Sequence, residues 1–244
     1  MPRPPAKPLR LFWNVRRFYP ILDFEMARAH GHDPLRLAEG IADLGLPWLQ
    51  LRAKTLPAAE FLAQARRLQA VLEKYGGRTR LVINDRADIA ALCPAGGLHV
   101  GQEDLPLAAA RRLLPAPALL GLSTHRESQI RAALAEDAEI SGEPLGASGT
   151  PRLHALAYLA FGPVYPTATK NNPDPVTGLE KLRRARALFS GTLVAIGGIR
   201  RENCAAAIQA GADFVAIISA WLAFADPLAE ARHFLLALAD SPAK

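Results

Sequence analysis

The chain reads as a single (β/α)8 TIM barrel, an α/β fold with a flexible insertion before the sixth strand, and three observations carry that expectation. Eight short apolar runs recur along it, helical spacing fills the segments between them, and each run ends in polar, charged or glycine residues. Runs that are apolar on both faces are the mark of parallel strands buried under helices. Strand and helix alternating eight times suit a sheet closed on itself. An open doubly wound sheet is the runner-up, but no Gly-x-Gly-x-x-Gly fingerprint follows the first run. At 244 residues the chain has the length of one such barrel.

The elements follow in order. Phe18–Leu22 is the first strand. Leu35, Ala38, Ile41 and Ala42 then share one helical face, and Trp48–Arg52 is the second strand. Phe61, Ala65, Leu68, Val71 and Leu72 mark the helix after it. Leu81–Asn84 is the third strand, with a helix over Ala87–Leu92, and Gly97–Gly101 is the fourth. Asp104-Leu105-Pro106 places a proline near a first helical turn, so a helix is expected over Leu107–Leu114. Leu119–Ser123 is the fifth strand, followed by a helix over Gln129–Leu134. Glu136–His154, rich in Gly, Ser and Pro, breaks the rhythm and reads as the insertion, a surface loop rather than a lid. Ala157–Phe161, Leu193–Ile196 and Phe214–Ile218 complete the strands; helices are expected over Leu179–Leu188, Ala205–Ala210 and Pro227–Leu238. Residues 1–16 are read as a disordered or extended basic tail, leaving 17–240 as the barrel.

Composition narrows the function classes. Half of the residues are hydrophobic, enough for a large core, yet no stretch of about 18 apolar residues suggests a membrane span. Cys93 and Cys204 both sit in apolar helical stretches, which suits buried thiols in a reducing cytoplasm better than a disulfide or a metal site. The net charge of +6 and the pI of about 9.7 raise nucleic acid as a partner. The arginines, however, are spread over helix faces (Arg66, Arg67, Arg111, Arg112, Arg183, Arg184) without interleaved aromatics. A positive field that draws anionic small molecules fits better.

In this fold chemistry sits at the C-terminal ends of the strands. Gln50 and Arg52 fall on one face of the second strand, with Lys54 just beyond. Polar groups aimed into a barrel mouth are costly unless they bind a ligand or an internal ion pair, here with Asp85 or Glu103. Asn84-Asp85-Arg86 ends the third strand and Asp104 follows the fourth; each aspartate alone could be a helix N-cap, but together they suit a hard divalent cation. Lys170, Arg86 and the hydroxyls of Thr167 and Thr169 are expected to face them. Ser123 ends the fifth strand as a candidate phosphate donor, while His125 reads as a cap or a solvated side chain and His99 is ambiguous. Gly197-Gly198 after the seventh strand and Ile218-Ser219 after the eighth stand where barrels hold phosphate on backbone N–H groups, although paired glycines also make plain tight turns. The mouth therefore has two anion sites, one with a metal and one without.

Taken in series, Gln50-Leu51-Arg52-x-Lys54, Asn84-Asp85-Arg86, His99-x-Gly101-Gln102-x-Asp104, Gly162-Pro163-Val164-Tyr165-Pro166-Thr167-x-Thr169-Lys170, Ile196-Gly197-Gly198-Ile199 and Ile218-Ser219 resemble the thiamine phosphate synthase family, from about Phe18 to about Leu238. The resemblance implies a transferase that joins hydroxymethylpyrimidine diphosphate to hydroxyethylthiazole phosphate, giving thiamine phosphate and pyrophosphate. It implies that Gln50, Arg52, Lys54 and Asn84 contact the pyrimidine diphosphate, that Asp85 and Asp104 hold Mg2+, and that Ser123 and Lys170 bind the diphosphate. Thr167, Thr169, Gly198, Ile218 and Ser219 would line the thiazole phosphate side. It also implies a dissociative substitution, with pyrophosphate leaving before the thiazole nitrogen attacks, so no general base is needed. No membrane and no nucleic acid partner is implied; a homo-oligomer is compatible with it. A sister branch, the thiazole tautomerase, carries a histidine about where this chain has Pro163, and a non-catalytic barrel binding a thiamine precursor is the reading from another class. Pro163 and the Thr-Ala-Thr-Lys run favour the synthase. The first strand, Phe18-Tyr19-Pro20-Ile21-Leu22-Asp23, departs from the family's more usual Tyr, Leu and Val before its aspartate.

Overall fold

A computed structural model of the chain describes residues 16–141, 156–167 and 174–239. Eight parallel strands close into a barrel in sequence order: β1 (Phe18–Asp23), β2 (Trp48–Arg52), β3 (Arg80–Asn84), β4 (Gly97–Val100), β5 (Leu119–Thr124), β6 (Tyr158–Phe161), β7 (Thr192–Ile196) and β8 (Phe214–Ile217). β8 returns to pair with β1, placing Val215 beside Phe18 and Ile217 beside Pro20. Every strand anticipated above is present, with ends displaced by a residue or so, as Gly101 illustrates by falling just outside β4.

The surrounding helices are α1 (Phe24–Ala29), α2 (Pro34–Asp43), α3 (Ala58–Lys74), α4 (Ala87–Leu92), α5 (Leu107–Leu113), α6 (Glu127–Ser141), α7 (Gly178–Leu188), α8 (Arg201–Gln209), α9 (Ser219–Leu222) and α10 (Pro227–Ala239). Their apolar stripes, such as Phe61, Ala65, Leu68 and Leu72 of α3, pack on outward-facing strand residues such as Leu49, Leu51, Leu81 and Ile83. Burying such a Leu or Phe stabilises by about 1.5–3 kcal/mol. Two helices lacked a periodic signal, α1 and α9. α1 starts because Asp23 caps it, accepting from the Met26 N–H at 2.9 Å. α9 is held from behind by Trp221, fully buried, whose indole donates to the Ile21 carbonyl at 3.3 Å.

The expected insertion starts later than Glu136. α6 runs to Ser141, and residues 136–141 stay helical because Glu136 accepts from the Ala108 N–H and buried Asp137 accepts from the Leu156 N–H at 2.6 Å. The remainder of Glu136–His154, from residue 142, lies outside the described residues. Of the expected basic tail, Arg16 is described and donates to the Gly45 carbonyl. Cys93 and Cys204 are buried and unbridged, as anticipated. No described helix is long and apolar enough to cross a membrane.

Inside the barrel the strands turn a second set of side chains toward the axis: Tyr19, Ile21, Val82, Tyr158, Ala160, Val194 and Ala216. Trp48 plugs one end, stacked on Phe214 with ring centres 4.5 Å apart and on Tyr158 at 5.1 Å. Gly121 makes this packing fit, since a Cβ there would overlap the Tyr158 ring.

Candidate active site

The strand ends bring two groups of charge to one mouth. At the end of β2, Arg52 is ion-paired with Asp23 of β1, and Lys54 with Asp85, which follows β3. The register places Asp23 beside Arg52, so the first pair is a direct cross-strand neighbour. The alternation expected for β2 holds: Leu51 faces the helices while Gln50 points inward and donates to the Tyr19 hydroxyl at 3.0 Å. Arg52 does find an internal carboxylate, but Asp23 rather than Asp85 or Glu103. Asp23 stood in the sequence as the family's aspartate without a role; its two oxygens cap α1 and hold Arg52.

Asp85 and Asp104 converge as expected. Their carboxyl groups lie within hydrogen-bonding reach of each other, and Asp104 also accepts from the Gly101 N–H at 2.7 Å. Burial, with the Asp85 charge beside it, pushes the Asp104 carboxyl above the ordinary range, although the Gly101 N–H and Lys54 work against the shift. Neither aspartate caps a helix: the residues before α4 and α5 are Arg86 and Pro106, and neither helix has a side-chain cap. Asp85 is also the only non-glycine residue with positive φ, +62°, among those described. Aspartate adopts this left-handed backbone more readily than most residues, and here it does so without capping a helix. Two carboxylates held this close repel, and a hard cation that keeps waters and phosphate oxygens as its other ligands suits such a donor pair. No group of three or more His, Cys, Asp or Glu with metal-binding geometry occurs among the described residues. Arg86, expected to face the pair, instead forms a fork with Asp88 at 2.8 and 2.6 Å, because that carboxylate lies only two residues along.

β4 and β5 supply the next wall. His99 is buried inside the barrel, its Nε2 2.9 Å from Ser123 Oγ and its Nδ1 3.0 Å from the Tyr158 hydroxyl. Burial lowers its pKa to about 4, against the pull of Asp104, so the ring is neutral at physiological pH. Gln102 donates to the Ser123 carbonyl at 2.6 Å, fixing the end of β5. Gln102 stood in the family motif without a role, and neither tyrosine was given one; the signal available for the tyrosines was a hydroxyl in each of two otherwise apolar inward runs. His125 is neither a cap nor solvated: its Nδ1 is 2.6 Å from the Gly162 carbonyl and its Nε2 3.4 Å from Asp174.

Beyond β2, Thr55 donates twice to Glu25, from N at 2.8 Å and Oγ1 at 2.9 Å, tying the Arg52–Lys54 segment to α1. Burial pushes the Glu25 carboxyl up, but these hydrogen bonds and the Arg52 charge leave it below the ordinary range.

The opposite wall comes from β6 to β8. Gly197 and Gly198 both have positive φ, +91° and +65°. A Cβ on Gly197 would overlap Pro163, and one on Gly198 would overlap the Tyr165 and Pro166 carbonyls. The two glycines therefore let the segment after β6 lie against the end of β7, where the Val164 and Tyr165 N–H groups bond to Ile196 and Gly197 at 2.9 and 3.0 Å. Close packing accounts for both glycines, which follow β7 at the C-terminal end of the barrel. Ile218 and Ser219 open α9 nearby, both half-buried, as is Thr167. Asn84 closes β3, also half-buried. Thr169 and Lys170 lie outside the described residues.

The sequence profile described as thiamine monophosphate synthase matches residues 18–221. A thiamine-phosphate synthase of Koribacter versatilis is 39% identical over 227 residues, which is 91% of this chain and 95% of that protein. One from Syntrophomonas wolfei is 40% identical over 188 residues, 77% of this chain and 80% of that protein. Among solved structures, thiamine phosphate pyrophosphorylase from Pyrococcus furiosus superposes with a TM-score of 0.74 at 24% identity, over 95% of this chain and all of that one. Phosphoribosyl anthranilate isomerase from Thermotoga maritima, at 15% identity and a TM-score of 0.59, shares the barrel alone.

Proposed function

The chain belongs to the thiamine monophosphate synthase family, and from that premise we propose how its mouth divides two anionic substrates between opposite walls. The activity is thiamine-phosphate synthesis, a transferase reaction. The pyrimidine diphosphate lies against β2 to β5 and the thiazole phosphate against β6 to β8. The observation that carries this assignment is the pairing of Asp85 with Asp104, with Lys54 on Asp85, at the same strand-end mouth as Arg52 and Ser123.

Asp85 and Asp104 would hold Mg2+, and Lys54 would then leave Asp85 to meet phosphate oxygens. When bound, the cation supplies neutralisation of the charge that builds on the departing diphosphate. Arg52, fixed by Asp23, and Lys54 add positive charge to the same oxygens, and Lys170 joins them from the segment after β6. Gln50 and Asn84 orient the pyrimidine, and Ser123 donates a hydrogen bond to the leaving group. As the carbon–oxygen bond breaks, its electron pair leaves with pyrophosphate and the amino-pyrimidine spreads the positive charge. The neutral thiazole nitrogen then attacks the methylene carbon. Thr167, Thr169, Gly198, Ile218 and Ser219 cradle the thiazole phosphate with hydroxyls and backbone N–H groups. No side chain removes a proton from carbon, in keeping with a neutral His99 turned into the barrel.

The experiment is direct: both phosphorylated precursors are incubated with the protein, with and without Mg2+, and pyrophosphate release is followed. Metal-dependent release is expected. Asp85→Ala and Lys170→Ala should each lower turnover by about 10²–10³ while the protein stays folded. Release without metal, or wild-type turnover in either variant, contradicts the assignment.

A further inference from the structure

Five side chains thread the inside of the barrel in one unbroken line. Gln50 Nε2 donates to the Tyr19 hydroxyl at 3.0 Å, the Tyr19 and Tyr158 hydroxyl oxygens are 2.9 Å apart, the Tyr158 oxygen is 3.0 Å from His99 Nδ1, and His99 Nε2 is 2.9 Å from Ser123 Oγ. The line runs from the second strand to the mouth, and its last member lies where the diphosphate is placed above. Tyr19 and Tyr158 are buried, and so are Gln50 and His99.

The direction of each bond follows from counting protons. A tyrosine hydroxyl has one hydrogen, and buried without an acceptor it is costly. Because the Gln50 amide donates to Tyr19, the Tyr19 oxygen is an acceptor there and its hydrogen must go elsewhere. The Tyr158 oxygen is the acceptor in reach. Tyr158 must then give its own hydrogen to His99 Nδ1, which is therefore bare. A neutral imidazole with a bare Nδ1 carries its hydrogen on Nε2 and donates to Ser123 Oγ. An imidazolium fails the same count. With hydrogens on both ring nitrogens it would turn the Tyr158 hydrogen back onto Tyr19 and strand the Tyr19 hydrogen. Ser123, accepting from His99, is left with its hydrogen free for the mouth, while Gln102 pins the Ser123 carbonyl at 2.6 Å.

We infer that this line is a one-way hydrogen-bond relay in which Tyr19, Tyr158 and His99 are positioning residues, presetting the Ser123 hydroxyl as a donor to the leaving diphosphate. No proton is transferred along it. The relay fixes a tautomer and a hydroxyl orientation, so the mouth meets the growing negative charge already turned the right way. Its place in the barrel is dictated by packing: Gly121 leaves room for the Tyr158 ring, and the His99 and Tyr158 rings lie nearly parallel with centres 5.6 Å apart. The inference rests on the assignment of Ser123 to the diphosphate, and the tests separate the two.

The tautomer is read in the wild-type protein by long-range proton–nitrogen NMR on chains labelled with nitrogen-15 histidine. The six histidines are resolved by subtracting the spectrum of His99→Gln. An Nε2–H ring at His99 is expected. An Nδ1–H ring overturns the relay, since Ser123 would then donate into the barrel. In Tyr158→Phe, checked for folding by circular dichroism, the fixed tautomer should be lost and kcat should fall about tenfold, while KM for the diphosphate substrate shifts less than about twofold. That split is expected because the bond strengthens only as charge develops. An unchanged kcat in the folded variant overturns the positioning role, and the wild-type tautomer still judges the relay if the variant fails to fold. Ser123→Ala tests the premise: wild-type turnover there removes Ser123 from the diphosphate and overturns the function given to the relay. A loss of turnover in Ser123→Ala together with an Nδ1–H ring overturns the relay alone.

Discussion

Lowering the pH should destabilise this barrel through one histidine, by an amount that follows from its burial. His99 has a folded-state pKa of about 4 against an ordinary 6.5, because its neutral ring sits inside the barrel. The folded value lies below the unfolded one, so between pH 6.5 and about 4 the unfolded chain binds more protons than the folded chain. The contribution is fully present above pH 6.5 and is lost as the pH falls through that window. The gap between 6.5 and about 4 corresponds to about 3 kcal/mol in all, of which about 2 kcal/mol is gone by about pH 5. Urea unfolding of wild type and His99→Gln at about pH 7.5 and about pH 5 isolates this share, because the other titrating groups cancel in the difference. The wild type should lose about 2 kcal/mol more than the variant. Equal losses in the two proteins, within about 0.5 kcal/mol, would refute a buried neutral imidazole.

Three further outcomes follow from the same geometry. Asp85 sits at positive φ, so Asp85→Gly should be more stable than Asp85→Ala by about 1 kcal/mol in thermal unfolding, the reverse of the usual order, with turnover lowered in both. The Asp104 carboxyl, raised by burial and by its neighbour, must lose its proton to hold a cation, so apparent Mg2+ affinity in calorimetric titration should rise with pH through that group's range. An affinity that is flat with pH would exclude Asp104 as a ligand. Gly121→Ala should cost about 1–3 kcal/mol by overpacking the Tyr158 ring, and its turnover should fall too, because that ring holds His99.

The eight strands were legible because parallel strands under helices must be apolar on both faces, a pattern that survives in sequence. Asp85 and Asp104 were legible for the opposite reason, as charge where an apolar run stops. What escaped detection looks like core by type. Tyr19 and Tyr158 are large aromatic residues in apolar runs, and only the axis-facing side of β1 and β6 shows that their hydroxyls meet. Asp23 stood in the sequence only as the aspartate ending the first strand; its hold on Arg52 depends on the β1–β2 register, which a single sequence does not display. Arg86 was misplaced because a neighbour two residues along, Asp88, captures it locally. Helix α9 spans four residues, too short to show a period, and is held by Trp221 rather than by any repeat.

The two ion pairs at the rim have a consequence for how the mouth fills. Arg52 and Lys54 are each already engaged by an aspartate before any substrate arrives. Lys54 can turn to a phosphate only if something else takes over Asp85, and a cation can settle on Asp85 most easily once Lys54 has gone. On the assignment proposed above, each newcomer would clear the seat the other needs, so diphosphate and metal would bind as a couple, each weakly when alone. Such an exchange would trade one ion pair for another, and re-forming the original pairs would help pyrophosphate to leave with its counter-ion.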